Sequence, residues 1–217
     1  MFDFNQPAYQ HLRKIYAEQT KQLVAWTGAG LSAPANMPSW VGLRTRLCEV
    51  ANRISVNQDE TVKKKTRSYA ELANSETDLW LAFDHLKHAL GNTTFGSEIK
   101  LSLTPNEGVR VLNSYCLLWE LGFRGVINLN IDGLATRATG EVFGGRKRVI
   151  EFSGQHAPRY SEAVFGGANP FILNLHGVVE DEESWVFTKE QFNNLFRTSG
   201  LTDFISAIAQ SRALVFV

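Results

Sequence analysis

The sequence has few cysteines and no net charge, and each of these features argues against a class of protein. Its 217 residues include only two cysteines, Cys48 and Cys116, which lie far apart. A disulfide framework and a Cys-x-x-Cys zinc site are therefore excluded, and we expect a reducing, cytoplasmic setting and no bound metal. Lys plus Arg and Asp plus Glu each total 22. This balance argues against direct binding of nucleic acid, because such proteins usually carry a basic face.

Long apolar runs and an amino-terminal leader pattern are also missing. No stretch of 18 apolar residues occurs, so we expect no membrane span. The start, Met1-Phe2-Asp3-Phe4-Asn5, lacks the basic and apolar regions of a secretory signal. What is present, 44% hydrophobic and 20% charged residues, is typical of a globular chain. We expect one domain over residues 1–217, with a helical insertion at about 45–120.

Short apolar runs separated by helical patterns predict a parallel α/β sheet. The five runs are Gln22–Thr27, Gly125–Asn130, Val149–Phe152, Phe171–Leu175 and Ala213–Val217, with a further short strand expected at Trp185–Phe187. Strands that alternate with helices form βαβ units, so the prediction is a Rossmann-like, doubly wound sheet with helices on both faces. Because the last strand stands at the end of the sequence, we expect the chain to continue, or to be truncated, after Val217.

Apolar residues at helical spacing fill the stretches between the strands. The predicted helices are Ala8–Gln19, a helix that begins after an N-cap at Ser39, most of Glu60–Leu121, a helix capped by Thr188 that runs through Phe196, and Thr202–Arg212. Within the long stretch, Thr104–Glu107 has the pattern of a cap and first turn, and Arg110–Leu121 that of an amphipathic helix.

A glycine-rich turn follows the first predicted strand. Gly28-Ala29-Gly30-Leu31-Ser32-Ala33 has the form G-x-G-x-x-A, in which glycines let backbone amides approach a diphosphate. The alternative is a tight strand–helix turn without a ligand. The acidic residue that grips a ribose about 20 positions further on is missing, since Glu49 lies inside a predicted helix. A plain Rossmann dehydrogenase is therefore disfavoured.

Polar residues also follow the second and fourth predicted strands. Asn130-Ile131-Asp132 ends one strand, and His176-Gly177 ends the other. In a doubly wound sheet these positions line the ligand crevice, where a histidine can act as a general base. The alternatives are a plain turn with Asp132 as a helix N-cap, and a structural histidine. A pair at His85 and His88 has metal-ligand spacing but no evident third ligand.

Together, and in this order, these motifs resemble those of the sirtuin (silent information regulator) family. Gly28–Ser32 is similar to the family's G-A-G-[IV]-S loop, and Met37–Trp40 to its I-P-D-F segment. Asn130–Leu134 is similar to N-I-D-x-L, and His176-Gly177 to the catalytic His-Gly. The resemblance implies NAD⁺ as the ligand and substrate.

The departures from the family pattern point to one branch of it. Two cysteines cannot form the four-cysteine zinc ribbon of the deacylases. The segment Val178–Phe192, with its V-x-T-x-x-x-F pattern, and Ser39–Leu43 resemble the NAD-consuming domains of bacterial antiphage defence proteins. Those relatives work with a sensor or activator, such as a HerA-type translocase or an Argonaute-like protein, and the resemblance also implies a homo-oligomer. Leu129 replaces a ribose-binding Gln, and Asn36 replaces a Gly.

The resemblance implies a role for each motif residue. The diphosphate of NAD⁺ would be bound by Gly28, Ala29, Gly30 and Ser32. Asp132 would bind the nicotinamide carboxamide, with Ile131 packed nearby, and Trp40 would cover the nicotinamide or be a core aromatic. Asn130 would orient the ribose or the attacking water, and His176 would be the general base. The expected activity is an NAD⁺ glycohydrolase that yields nicotinamide and ADP-ribose. The alternatives are an NAD-dependent protein deacylase, a non-catalytic NAD or ADP-ribose sensor, and an assembly module formed by the helical region.

Overall fold

Helices and strands alternate along the chain, as shown by a computed structural model that describes residues 3–18, 22–106, 113–198 and 200–217. The helices in these ranges are α1 Pro7–Glu18, α2 Ala29–Ser32, α3 Trp40–Ser55, α4 Glu60–Ser75, α5 Leu79–Leu103, α6 Asn113–Glu120, α7 Leu134–Phe143, α8 Ser161–Phe165, α9 Lys189–Thr198 and α10 Leu201–Ser211. The strands are β1 Leu23–Thr27, β2 Gly125–Asn128, β3 Ile150–Ser153, β4 Phe171–Asn174 and β5 Ala213–Phe216.

The five strands form one parallel sheet in the order β3-β4-β2-β1-β5. Thr27 pairs with Asn128, and Asn128 with Asn174, so the last residues of β1, β2 and β4 are level with one another. Parallel pairing brings all five carboxyl ends to the same edge of the sheet. The predicted Rossmann-like α/β fold is confirmed.

Helices cover both faces of the sheet. On one face, Ala25 and Val126 pack with residues of α6 and α7. On the other face, Val24 and Ile127 pack with residues of α10. A strand buried on both faces needs apolar residues at successive positions, which explains the unbroken apolar runs in the sequence. The sheet is therefore doubly wound, as predicted.

A third cluster of buried side chains lies among α3, α4 and α5, the three helices between β1 and β2. Leu47, Phe83, Leu86 and Ile99 are fully buried there. Helix α5 is broken at Gly91, whose φ of 74° and ψ of 162° are not helical. We refer to α3, α4 and α5 together as the helical module.

The helix boundaries agree with several sequence signals. Ser39 caps α3, as predicted, because its Oγ accepts a hydrogen bond of 3.1 Å from the Gly42 amide. Thr188 precedes α9 and accepts from the Gln191 amide at 3.3 Å. Asn36, which replaces a glycine of the family pattern, adopts a left-handed φ of 58°.

Two local predictions were wrong. Trp185–Phe187 does not form a strand: these buried residues follow a 3₁₀ turn over 182–184. Trp185 and Phe187 pack against the helical module, whereas Val186 packs in the cluster on the α10 face of the sheet. Thr104 does not begin a helix but ends α5, since its amide donates to the Lys100 carbonyl at 2.9 Å. Position 19 and positions 107–112, which belong to other predicted helices, lie outside the described residues.

Exchange of Gly125 for alanine tests the packing of β2 against β4. A Cβ at Gly125 would overlap the ring of Phe171, which is fully buried. We expect Gly125→Ala to lower the free energy of unfolding by about 1–3 kcal/mol, measured by urea denaturation.

The matched control is Gly140→Ala in α7, where an added Cβ would meet nothing within 4 Å. Alanine favours the helical backbone there, so we expect a gain of about 0.5–1 kcal/mol. Equal stabilities of the two variants would contradict the register between β2 and β4.

Candidate functional site

The glycine turn leaves β1 at the carboxyl edge of the sheet. Gly28 has an extended backbone, with φ of −136°, and directly precedes α2. A Cβ added at Gly30 would meet nothing within 4 Å, and one at Gly28 would meet only Leu129 Cδ1 at 4.0 Å. The turn therefore has space beside its backbone, as a diphosphate-binding turn requires.

Asn130 connects the second motif to the glycine turn. Its Nδ2 donates to the Gly28 carbonyl at 2.8 Å, and lies 3.0 Å from Ser32 Oγ and 2.9 Å from the Tyr115 hydroxyl. A carbonyl oxygen can only accept, so the contact with Gly28 fixes which end of the amide faces the turn. Residues about 100 positions apart in the sequence are thus joined through one side chain.

Asp132 is a buried carboxylate beside the same turn, with only 4% of its surface exposed. Its Oδ1 accepts from the amide of Leu134, the first residue of α7, at 3.0 Å, but the N-cap of α7 is Gly133 and not Asp132, which the structural alternative had predicted. Burial raises the pKa of Asp132, and hydrogen bonds from the Ser32 hydroxyl and the Leu134 amide offset part of that effect. The contact with Ser32 ties Asp132 to the glycine turn as well.

His176 is joined to the Asn130 segment through the main chain. Its Nδ1 lies 3.0 Å from the Leu129 carbonyl oxygen, which can only accept, so Nδ1 carries the proton. The neutral ring then has its basic lone pair on Nε2. Burial lowers the pKa of His176 to about 4, and the bond to Leu129 opposes this shift. The imidazole is therefore uncharged at neutral pH.

A small cavity of about 30 Å³ lies at the centre of this arrangement. It is lined by Ala29, Ser32, Met37, Pro38, Trp40, Leu43, Leu103, Leu129, Asn130, Ile131, Asp132 and Phe187. The lining includes most of the predicted site residues, and Gly28 and His176 contact lining residues through Asn130 and Leu129. Gly30 is not part of the lining. Such a volume holds about one water molecule, so a dinucleotide requires the site to open.

Aromatic side chains surround Trp40 on the cavity wall. Its ring lies 4.9 Å from Trp80, 5.2 Å from Phe83, 5.5 Å from Phe187 and 5.4 Å from His176, between ring centroids. Trp80 also contacts His176, at 5.5 Å. Trp40 is thus both a packed aromatic and part of the cavity wall. Trp80 was missed in the sequence, because helical spacing does not show which helix reaches the site.

A row of polar side chains near the carboxyl edge of the sheet, three of them buried and Glu151 exposed, was also missed. Thr27 Oγ1 donates to Asn128 Oδ1 at 3.0 Å, and Asn128 Nδ2 donates to Asn174 Oδ1 at 3.1 Å. Asn174 Nδ2 then donates to Glu151 Oε1 at 2.8 Å. We call these four residues the polar row; it links β1, β2, β4 and β3. The available signal was that three of the apolar strands end in Thr or Asn.

Two ion pairs connect the helical module to the segment that follows His176. Lys189 Nζ lies 2.9 Å from Asp78 Oδ2, and Lys100 Nζ lies 2.7 Å from Glu182 Oε1. All four side chains are between one third and about one half exposed. The module therefore contacts the site through aromatic packing and through charges at its rim.

No metal centre is formed by the residues that the structure describes. His85 and His88 pack beside the ring of Tyr69, with centroids 6.1 and 5.4 Å away. In the described ranges, no three or more His, Cys, Asp or Glu side chains are grouped so that they could hold an ion. Cys48 and Cys116 are both free thiols.

A helix that crosses a bilayer must be both long and apolar. None of the helices in the described ranges is both long enough and apolar enough to cross a membrane.

The carboxyl-terminal part of the chain is similar to a known family. Residues 124–217 match the family model described as a SIR2-like domain. The matched range begins just before β2 and contains Asn130, Asp132 and His176, but not the glycine turn. No curated protein matches the chain. The match agrees with the motif resemblance, and a SIR2-like domain implies an NAD-related enzymatic function.

The depressed pKa of His176 gives a testable pH dependence of stability. The folded-state value of about 4 lies below the unfolded-state value near 6.5, so the unfolded chain binds more protons between these pH values. We expect the free energy of unfolding to fall by about 2 kcal/mol between pH 7 and pH 5 through this group alone.

The measurement combines NMR titration of the His176 imidazole with urea unfolding at both pH values. His176→Asn should lose less stability on acidification than the wild type, whereas His156→Asn, at an exposed position, should behave like the wild type. A titration midpoint near 6.5 would contradict the buried, neutral state.

Proposed function

We propose, on the premise that this chain is sirtuin-like over residues 124–217, that it is an NAD⁺ glycohydrolase. It would cleave the bond between nicotinamide and ribose and transfer the ADP-ribosyl group to water. The observation that carries the proposal is the proximity of the three motifs, since two of them line one cavity and His176 contacts the carbonyl of Leu129, a residue of the cavity lining. Asn130 bonds the glycine turn, and His176 bonds the carbonyl of the residue before Asn130.

The leaving group of this reaction does not need to be protonated by an acid. When the glycosidic bond breaks, its electron pair returns to the pyridinium nitrogen, and nicotinamide leaves as a neutral molecule. The ribose is left with oxocarbenium character at C1′, and the protein must hold this centre and deliver a nucleophile. Water then adds at C1′ and loses one proton, so that ADP-ribose and a proton are the remaining products.

His176 is suited to accept the proton of the attacking water, and Asn130 is suited to orient that water. The bond from Nδ1 to Leu129 leaves Nε2 of the neutral His176 ring as the proton acceptor. In the part of the chain that the structure describes, no donor reaches Asn130 Oδ1, so this oxygen can accept from the water or from a ribose hydroxyl. Gly28, Ala29, Gly30 and Ser32 would hold the diphosphate.

The remaining contacts would hold the nicotinamide ring. Asp132 would bind the carboxamide, with Ile131 packed nearby and Trp40 covering the nicotinamide. All three side chains line the cavity.

The aromatic surroundings of His176 support water as the acceptor. Trp40 and Trp80 both contact the imidazole edge to face, and Trp80 is packed in turn on Phe192, 4.8 Å away. A peptide substrate would need a channel for an acyl-lysine side chain beside this histidine. Bulky rings at that position favour a small nucleophile over a peptide.

We further propose that the enzyme is the NAD-depleting effector of a prokaryotic antiphage defence system, cytoplasmic and homo-oligomeric. The patterns in Val178–Phe192 and Ser39–Leu43 support this role. A partner that senses infection, of the HerA-type translocase or Argonaute-like kind, would switch the enzyme on. A cavity that holds about one water supports such control, because NAD⁺ could enter only after a rearrangement.

The test is release of nicotinamide from NAD⁺, followed by chromatography, with the purified chain alone and with its assembled partner. We expect nicotinamide and ADP-ribose in equal amounts from the wild type. His176→Ala should reduce the rate by about 10²–10⁴-fold, since a positioned general base contributes about that much. Asn130→Ala should also reduce it strongly.

The matched control is His156→Ala, which removes an exposed imidazole that lies 3.1 Å from Ser153 Oγ, and it should leave the rate unchanged. Turnover that requires an acetyl-lysine peptide would indicate a deacylase. Binding of NAD⁺ by calorimetry without any product, in every assembled state, would indicate a sensor. Either outcome would overturn the proposed hydrolase.

A further inference from the structure

We propose that Tyr115 is a positioning residue that orients the Asn130 amide, an inference that rests on the proposed function. Tyr115 belongs to α6 and is fully buried. Its hydroxyl lies 2.9 Å from Asn130 Nδ2 and 3.1 Å from Ser32 Oγ. Each of these partners belongs to a site motif, whereas Tyr115 belongs to none.

The hydrogen atoms available at this point can be arranged so that every donor has an acceptor. Asn130 Nδ2 carries two hydrogens, of which the Gly28 carbonyl accepts one. The second lies between the Tyr115 and Ser32 oxygens. When Tyr115 accepts it, the phenolic hydrogen points to Ser32, and the Ser32 hydroxyl donates to Asp132. The chain of donors ends on the carboxylate, which can only accept.

Packing alone does not account for the hydroxyl. A phenylalanine would fill the same space without a polar atom to bury, and burying a hydroxyl is unfavourable unless it is hydrogen-bonded. Burial and the nearby charge of Asp132 raise the pKa of Tyr115 to about 12. Tyr115 is therefore a permanent hydrogen-bond donor and acceptor at neutral pH, not an acid or base in the reaction.

The consequence for the site is a fixed direction of the Asn130 side chain. With Nδ2 held by Gly28, Ser32 and Tyr115, the amide cannot rotate freely, and Oδ1 is the end available to a ligand in the cavity. Loss of the phenolic hydroxyl removes one of the three acceptors. The amide then samples other orientations, and the oxygen meets the reacting water less often.

The test is Tyr115→Phe, which keeps the ring and removes only the hydroxyl. We expect kcat for nicotinamide release to fall about tenfold, the effect of roughly one hydrogen bond, with KM changed by less than about twofold. The Asn130 side-chain amide signals in an ¹⁵N NMR spectrum, identified by their loss in Asn130→Asp, should shift in the same variant.

The matched control is Tyr160→Phe. Tyr160 stacks on Phe152 with ring centroids 4.5 Å apart, so this exchange also removes a hydroxyl from a packed ring. It lies outside the proposed machinery and should leave both kcat and the Asn130 signals unchanged.

The rate of nicotinamide release tests the proposed function, and the Asn130 side-chain amide signals test the inference about Tyr115. If the wild type releases no nicotinamide, the proposed function fails, and the shift of the Asn130 signals still tests the contact. Unchanged Asn130 signals in Tyr115→Phe, whatever the melting temperature, would make Tyr115 a purely structural residue and overturn the inference. Should that variant not fold, the wild type still tests the contact: we expect a nuclear Overhauser effect between the Tyr115 ring protons and the Asn130 side-chain amide protons, and its absence would also overturn the inference.

Discussion

Buried amide and hydroxyl groups at the carboxyl edge of a parallel sheet must find their hydrogen-bond partners inside the protein. Thr27, Asn128 and Asn174 have at most 2% of their surface exposed, and they satisfy one another, together with Glu151, across four strands. A buried donor or acceptor left without a partner costs about 1–3 kcal/mol, so this row is strongly constrained. The strand ends are thereby held level, and the loops that leave them start from fixed positions.

The site depends on that constraint. Asn128 also accepts from the Asn130 amide at 3.2 Å and donates to the Asn130 carbonyl at 2.8 Å. Asn130 therefore begins its loop with its backbone already fixed by the polar row, and its side chain then bonds the glycine turn. Preorganisation of this kind is what a reaction with a weak nucleophile and a charged transition state requires, because the enzyme need not reorganise as charge develops.

Much of this architecture was predictable from local patterns, and the rest was not, for physical reasons. The strands were evident because burial on both faces demands unbroken apolar runs, and the motifs were evident because each follows such a run. Tyr115 and Trp80 lie on helices, where spacing reveals an apolar face but not which other element that face meets. Trp185–Phe187 has strand-like composition, yet its two aromatic side chains pack into the helical module.

The break at Gly91 determines how the helical module closes the site. Trp80 and Leu103 lie near opposite ends of α5, and a straight helix would separate them by about 35 Å at 1.5 Å per residue. Leu103 nevertheless lines the cavity, and Trp80 packs on Trp40 of its wall. Residue 91 has a φ that side chains with a Cβ rarely adopt. The two halves of α5 therefore form a helical hairpin beside the cavity. Glycine at position 91 permits the reversal of direction that brings both halves to the cavity wall.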